Sequence, residues 1–265
     1  MQPVLNIGIR AARKAGDLIF RYLNRLDSLK IASKQHNEFV TEVDQKAEQE
    51  IINTIQSSYP DHAFLGEESG ASGEGDQVWI IDPLDGTTNF IHGFPQFAVS
   101  LAFKIKDRLE LAIVYDPLRQ ELFTACRGEG AQLDGKKIRV SNRSKLAGTL
   151  IGTGFPYRAN AEHVDEYFGM LKSVLKETAG VRRPGAAALD LAYVAAGRLD
   201  GFWEIGLQPW DMAGGALLIQ EAGGIITGFL GKQDYMETGN VLAGTPKVHG
   251  HLMKLIKPHL GPGLK

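Results

Sequence analysis

Between Val78 and Ala125 the chain carries four strand-like runs, Val78 to Ile81, Phe97 to Ile105, Leu109 to Tyr115 and Glu121 to Ala125, separated by turn-rich breaks. Three of them are joined by links too short for a helical crossover, and short links between neighbouring strands imply antiparallel pairing. Lys106-Asp107-Arg108 is a hairpin-sized connection, and Leu133-Asp134-Gly135-Lys136 carries the Asp-Gly signal of a tight turn. An antiparallel meander is therefore expected in the middle of the chain, with the rest arranged around it.

Helices are expected before it. After Pro3, apolar or small residues at Val4, Ile7, Ala11, Ala15, Leu18 and Tyr22 recur at helical spacing, with Arg10, Arg13, Lys14, Arg21 and Arg25 as a solvated face. A second helix is expected from Asp44, placed as its cap, through Ala47, Ile51 and Ile55 to the stop at Tyr59-Pro60. From about Gly148 strand and helix alternate. The expected strands are 150–152, 201–205, 225–227 and 240–243, and the expected helices lie near 161–178, 186–196, 211–222 and after Pro246. The chain thus reads as an N-terminal α+β half, 1–147, and a C-terminal α/β half, 148–265, joined as one compact unit without linker, repeat or low-complexity tract.

At 265 residues and 43% hydrophobic composition the chain can bury a core of that size. Its 29 basic and 31 acidic residues leave a net charge of -2, which gives no general attraction to nucleic acid or to an anionic membrane. Cys126 is the single cysteine, so no internal disulfide forms, and its place in a strand-like run predicts a buried filler. No apolar run of signal or membrane-span type is evident, and a cytoplasmic location is the expectation.

Chemistry concentrates in Asp82-Pro83-Leu84-Asp85-Gly86-Thr87-Thr88, directly after the apolar run 78–81, where a strand would end at the sheet edge. Pro83 stiffens the loop, so two carboxylates can converge outside regular geometry. Held together they repel unless a cation lies between them, and oxygen ligands without a Cys or His cluster suit Mg2+ or Mn2+. Gly86-Thr87-Thr88 lets backbone amides approach a ligand, and a helix starting there would offer an anion site. Read alone, Asp-Pro-x-Asp-Gly is first an Asx-type turn with Asp82 as a helix cap. Two further acidic positions change that reading. Gly66-Glu67-Glu68-Ser69 follows the apolar Ala63-Phe64-Leu65, and Asp211 opens a small-residue helix in Pro209-Trp210-Asp211-Met212-Ala213-Gly214-Gly215.

The string from Trp79 to Phe90 resembles the first signature of the inositol monophosphatase family, and Trp210 to Gly215 resembles its second. Glu67 and the segment Phe39 to Asp44 fall in the family's order and spacing, so the resemblance spans nearly the whole chain. It implies a layered αβαβα sandwich of the inositol monophosphatase and fructose-1,6-bisphosphatase type, and a homodimer. It implies Mg2+, two or three ions per active site. Glu67, Asp82 and the Leu84 carbonyl would hold the first, Asp82, Asp85 and Asp211 the second, and Glu67 a weaker third. Asp44 and Thr87 would orient or deprotonate the attacking water. Gly86 and Thr87 would take the phosphate, while Asp85, Gly185, Ala187, Glu204 and Asp211 would face the polyol. Lys34, in the segment Ser33 to Asn37, would approach the metals from a mobile loop.

The implied reaction is hydrolysis of myo-inositol 1-phosphate or a related small phosphomonoester by a metal-activated water, with lithium sensitivity. Fructose 1,6-bisphosphate, nucleotide 3'-phosphates and NADP(H) are alternative substrates. Leu189 to Arg198 and Glu204 to Leu207 are most similar to a bacterial member that also serves in transcription antitermination. That implies Nus factors, RNA polymerase and RNA as partners. Arg182-Arg183-Pro184-Gly185-Ala186-Ala187-Ala188 departs from the family pattern, which carries Thr or a small residue before the Gly and Ser or Thr after it. Arg182 and Arg183 read as exposed charges or as part of a dimer surface. Phe155-Pro156-Tyr157-Arg158 offers no polyol contact.

Overall fold

The computed structural model describes residues 1–23, 25–26, 31–35, 38–156 and 162–264, with the side chains of 31–40 left aside. Two helices, α1 (Gln2–Leu23) and α2 (Glu42–Gln56), flank a small hairpin of β1 (Ile31–Gln35) and β2 (Glu38–Thr41). The main sheet follows: β3 (Ala63–Gly66), β4 (Gly70–Ser72), β5 (Gln77–Asp85), β6 (Ala98–Ile105), β7 (Arg108–Asp116), β8 (Glu121–Cys126), β9 (Gly130–Leu133) and β10 (Lys136–Lys137). Its order is β10-β9-β8-β7-β6-β5-β3-β4, antiparallel throughout except for the parallel pair β3 and β5. The expected meander is its centre, β6-β7-β8, and the Asp134-Gly135 turn joins β9 to β10.

The later segments form a five-stranded sheet of β11 (Leu150–Thr153), β12 (Gly180–Arg182), β13 (Gly201–Glu204), β14 (Ile225–Thr227) and β15 (Val241–Gly244), in the order β12-β11-β13-β15-β14. It is mixed: β11 pairs parallel with β12 and β13, while β15 runs antiparallel to β13 and β14. Helices α4 (Val164–Glu177), α5 (Ala187–Ala195), α6 (Pro209–Glu221) and α8 (Pro246–Ile256) accompany it, and α3 (Thr87–Ile91) and α7 (Tyr235–Thr238) are single-turn insertions. Helices α1 and α2 cover one face of the large sheet, and α5 and α6 lie between the two sheets. Helices α4 and α8 cover the outer face of the small one. This is the layered αβαβα arrangement, and each interlayer space holds its own buried apolar cluster.

Three local expectations need correction. The buried face of α1 is Leu5, Gly8, Ala11, Ala12, Ala15, Gly16 and Ile19, with Val4, Ile7, Leu18 and Tyr22 only half-buried at its margins. Small residues face the sheet because the helix lies very close to it. A Cβ on Gly8 would stand 2.5 Å from Ile113 Cδ1, and one on Gly16 would stand 2.5 Å from Tyr115 Cε1. Helix α2 begins before Asp44: Thr41 is its N-cap and Asp44 is its third residue. Helix α6 likewise begins at Pro209, with Asp211 third rather than at the start. In both, the aspartate closes a capping box on the preceding backbone, so each is fixed by its own helix terminus.

Candidate active site

Strand β5 carries its pairing into the acidic loop. Asp82 lies opposite Ser100 and Asp85 opposite Ala98, so β5 holds one extra residue against β6 at Pro83-Leu84. Such a bulge suits a proline, which has no amide hydrogen to give to the ladder, and it re-aims the side chains on either side. Asp82 Oδ1 accepts from Leu84 N at 3.0 Å, so the Asx-type turn is present. Asp82 caps no helix: the next one, α3, starts at Thr87 with Gly86 as N-cap. Gly86 has φ +92°, and a Cβ there would lie 2.8 Å from Gln96 O, so only glycine fits. Asp85 Oδ2 accepts from Ala188 N at 2.8 Å, at the start of α5, where the unpaired amides of a helix favour a carboxylate. That bond ties the loop to the C-terminal half.

Asp44 lies behind the loop, fully buried. Its Oδ2 accepts from the amide and hydroxyl of Thr41, and its Oδ1 accepts from Thr87 Oγ1 at 2.9 Å. Thr87 Oγ1 also lies 3.1 Å from the Leu84 carbonyl oxygen, so its single proton is directed inward to acceptors. Burial raises the Asp44 carboxyl above its ordinary range, against the lowering effect of its hydrogen bonds to Thr41 and Thr87.

In front of the loop is a cavity of about 330 Å³. Glu67, Asp82, Leu84, Asp85, Gly86, Thr87, Gly185, Ala187, Glu204 and Asp211 all line it. These are all the expected site positions except two: Asp44, which reaches the cavity only through Thr87, and Lys34, whose side chain lies outside the described residues. Outside the β5 loop, the acids arrive from other boundaries. Glu67 follows β3, and its amide donates to Ile81 O, next to Asp82. Asp211 is held at the start of α6 by Gln208 N, 2.7 Å from its Oδ2. Glu204 ends β13 with its carboxylate pressed against Gly154, where a Cβ would occupy the same space.

The electrostatics are those of crowded anions. Burial first, then Glu67, Asp85 and Asp211, push the Asp82 carboxyl well up; burial and then Asp211 do the same for Asp85. Among the described residues no group of three or more His, Cys, Asp or Glu side chains stands close enough together to hold a metal ion as it is. The donor set is nevertheless all oxygen and strongly anionic, and Asp82 and Asp85 are buried at 1% and 7% exposure. Such a set fits a hard divalent cation, which would relieve the repulsion that raises both carboxyls.

Several lining residues escaped the sequence reading. Arg183, read there as an exposed or dimer-surface charge, lines the cavity with its guanidinium 5.1 Å over the Phe155 ring. Asp190 also lines it, 1% exposed, with no hydrogen-bond partner for Oδ1 among the described residues and its carboxyl pushed up by burial, then by Glu204 and Asp85. Asn89 lies within the first signature, Trp79 to Phe90, with no role of its own in the sequence reading. Its Nδ2 donates to Gln96 O at 2.8 Å and Pro184 O at 2.9 Å, with Gly185 O at 3.2 Å, pinning the 184–185 loop to α3. An asparagine just inside a short helix after a glycine turn was the available signal. Gly185 has φ +90° and Ala186 is buried at the N-cap of α5 without a side-chain cap. Tyr157 and Arg158 lie outside the described residues.

Residues 1–260 match the model of the inositol monophosphatase family. The chain belongs to that family. Among its relatives, the Nus factor SuhB of Pseudomonas aeruginosa is 57% identical over 270 residues, covering all of both chains. The Nus factor SuhB of Escherichia coli K12 is 52% identical over 267 residues, again covering all of both. Among solved structures, the extragenic suppressor protein SuhB of Bartonella henselae superposes with a TM-score of 0.95 at 42% identity, covering 97% of this chain and 100% of that one. An IMPase of Thermotoga maritima gives 0.89 at 35% identity, covering 98% of each. Within the inositol monophosphatase family the acidic loop and its cavity therefore sit on a phosphatase-family scaffold. No described helix is long and apolar enough to cross a membrane.

Proposed function

We propose that the cavity hydrolyses small phosphomonoesters, with myo-inositol 1-phosphate or a related polyol phosphate as substrate. The observation that carries this is the convergence of Glu67, Asp82, Asp85 and Asp211 from three separate boundaries on one cavity, beside the Thr87–Asp44 hydrogen bond. Glu67, Asp82 and the Leu84 carbonyl would hold one Mg2+, and Asp82, Asp85 and Asp211 a second; Glu67 would also serve a weaker third, and Mn2+ would substitute. Bound there, the ions would supply Lewis acidity, lowering the pKa of water and neutralising charge on the phosphate and leaving oxygen. The chain's residues position the reaction and move the proton. Asp44, desolvated and raised, is poised to take a proton through the Thr87 hydroxyl, and Thr87 in turn orients the attacking water toward phosphorus. Gly86 admits the phosphate close to the backbone. Gly185, Ala187 and Glu204 face the alcohol, with Asp85 and Asp211 completing that wall. A pre-shaped site of this kind contributes mainly orientation and charge neutralisation, the chief needs of phosphoryl transfer.

The test is phosphate release from a panel of myo-inositol 1-phosphate, fructose 1,6-bisphosphate, a nucleotide 3'-phosphate and NADP(H), with Mg2+ and with added Li+. The reading expects the inositol ester to lead, with lithium inhibition; no magnesium-dependent release from any member of the panel refutes it. A second reading draws support from the relatives named Nus factor SuhB. In it the protein is primarily a binding factor that, as a homodimer, joins a ribosomal-RNA transcription antitermination assembly of Nus factors, RNA polymerase and RNA, with phosphatase activity secondary. Light scattering measures the dimer. Pull-down with Nus factors tests the assembly, and enrichment no greater than for an unrelated phosphatase excludes it.

A further inference from the structure

We infer that Glu48 is a positioning residue of the metal site, holding from α2 the backbone that follows Glu67 and so aiming the Glu67 side chain into the cavity. The inference rests on the proposed role of Glu67 as a magnesium ligand. Glu48 is 2% exposed and, among the described residues, has no cationic partner. Its Oε2 accepts from Glu68 N at 3.0 Å and its Oε1 from Ser69 N at 2.8 Å. A carboxylate buried this close to the acid-lined cavity is costly unless its oxygens are hydrogen-bonded, and two backbone amides meet that need. Those bonds are not accidental to the loop. The Glu67 amide donates to Ile81 O at 3.1 Å, so three consecutive amides, 67 to 69, are tied down and set the direction in which the Glu67 Cα–Cβ bond leaves the backbone.

The placement of Glu48 on α2 gives the clasp its purpose. Asp44 and Glu48 are four residues apart, one turn along the same buried face. Through Asp44 the helix fixes Thr87, and through Glu48 it fixes the segment bearing Glu67. One rigid helix therefore sets the distance between the proton-moving pair and the first metal's ligand. Gly66 makes room for the arrangement, because a Cβ there would collide with the Glu48 carboxylate. Nothing in the sequence separates Glu48 from the other acids of its helix.

Glu48→Gln keeps one carbonyl acceptor but turns an amide NH2 group toward a backbone N–H, so one of the two bonds is lost. Supporting structure of this kind around a metal ligand is worth about 10- to 100-fold in metal affinity when removed. Calorimetric Mg2+ titration of Glu48→Gln should show a loss in that range. Amide hydrogen exchange should speed up at Glu68 and Ser69, and kcat should return toward wild type at saturating Mg2+. Val174→Ala, on the buried face of α4, controls for general destabilisation and should bind Mg2+ as wild type does. If Glu48→Gln does not fold, Gly66→Ala, which pushes the carboxylate aside, carries the same expectation. Wild-type magnesium affinity in a folded Glu48→Gln or Gly66→Ala overturns the inference and leaves the site reading intact, as does an equal loss in Val174→Ala. A wild-type protein that binds no Mg2+ overturns the site reading and the inference with it.

Discussion

Replacing Thr87 by Val separates proton handling from metal binding. Valine fills nearly the same space, so packing changes little, but Asp44 Oδ1 loses the donor now 2.9 Å away. Asp44 is fully buried, and no water replaces the hydroxyl at no cost. A buried acceptor left without its partner costs about 1–3 kcal/mol. At roughly 2–4 °C per kcal/mol for a domain of this size, the melting temperature should fall by about 2–12 °C. The rate should fall further, because loss of a positioned acid–base route costs about 10²–10⁴-fold. Thr87 also lowers the Asp44 carboxyl, so its removal leaves that group higher still. The acid limb of kcat/KM should therefore move to higher pH in whatever activity survives. Thr87→Ser, which keeps the hydroxyl, should retain most turnover. The assay is phosphate release across pH at saturating Mg2+, with calorimetry showing that Mg2+ still binds. Near-wild-type turnover in Thr87→Val, or equal damage in Thr87→Ser, refutes the relay.

Three further outcomes follow from the geometry. Asn89→Ala frees the 184–185 loop from α3 by removing bonds to Gln96 O and Pro184 O, and should raise KM for the phosphate ester while calorimetry shows Mg2+ affinity unchanged. Asp82 and Asp85 have raised carboxyls in the metal-free fold, which therefore keeps protons that the unfolded chain releases. Their share of stability is fully present below the unfolded value of 3.8 and is lost as pH rises toward the raised values; thermal melts with and without Mg2+ should show this slope flattened by the ion. Asp190→Asn removes a buried acid with an orphan oxygen, so metal-free melts should show a gain near neutral pH that vanishes in acid, where Asp190 is already protonated.

Much of the layered fold was legible because the short links after β6 and β7 leave no topology but a meander, and because period-two and helical patterns switch at Gly148. The buried stripe of α1 was not. Glycine and alanine carry no strong hydrophobic signal, and their burial follows from how closely the helix meets Trp79, Ile113 and Tyr115. Asp44 and Asp211 were legible as helix-terminal acids, but a capping aspartate and one three residues inside a capping box differ only by the exact helix start. The acidic loop was visible as a loop; its bulge depends on the register against β6, which no local pattern encodes. Arg183, Asp190 and Asn89 were missed for a common reason. Each lines a cavity that exists only because α5 and the 183–185 loop pack against the β5 loop, segments about a hundred residues apart in sequence.

Asp82, shared between both proposed ions, is the residue on which a magnesium-dependent phosphomonoesterase site stands or falls. Phosphate release from myo-inositol 1-phosphate by wild type and Asp82→Asn, across a Mg2+ titration and with circular dichroism on both, tests it most directly. The prediction is release by wild type that rises with Mg2+ and disappears with chelator, and none by a folded Asp82→Asn. Near-normal turnover by Asp82→Asn, or wild-type release that persists without metal, contradicts it.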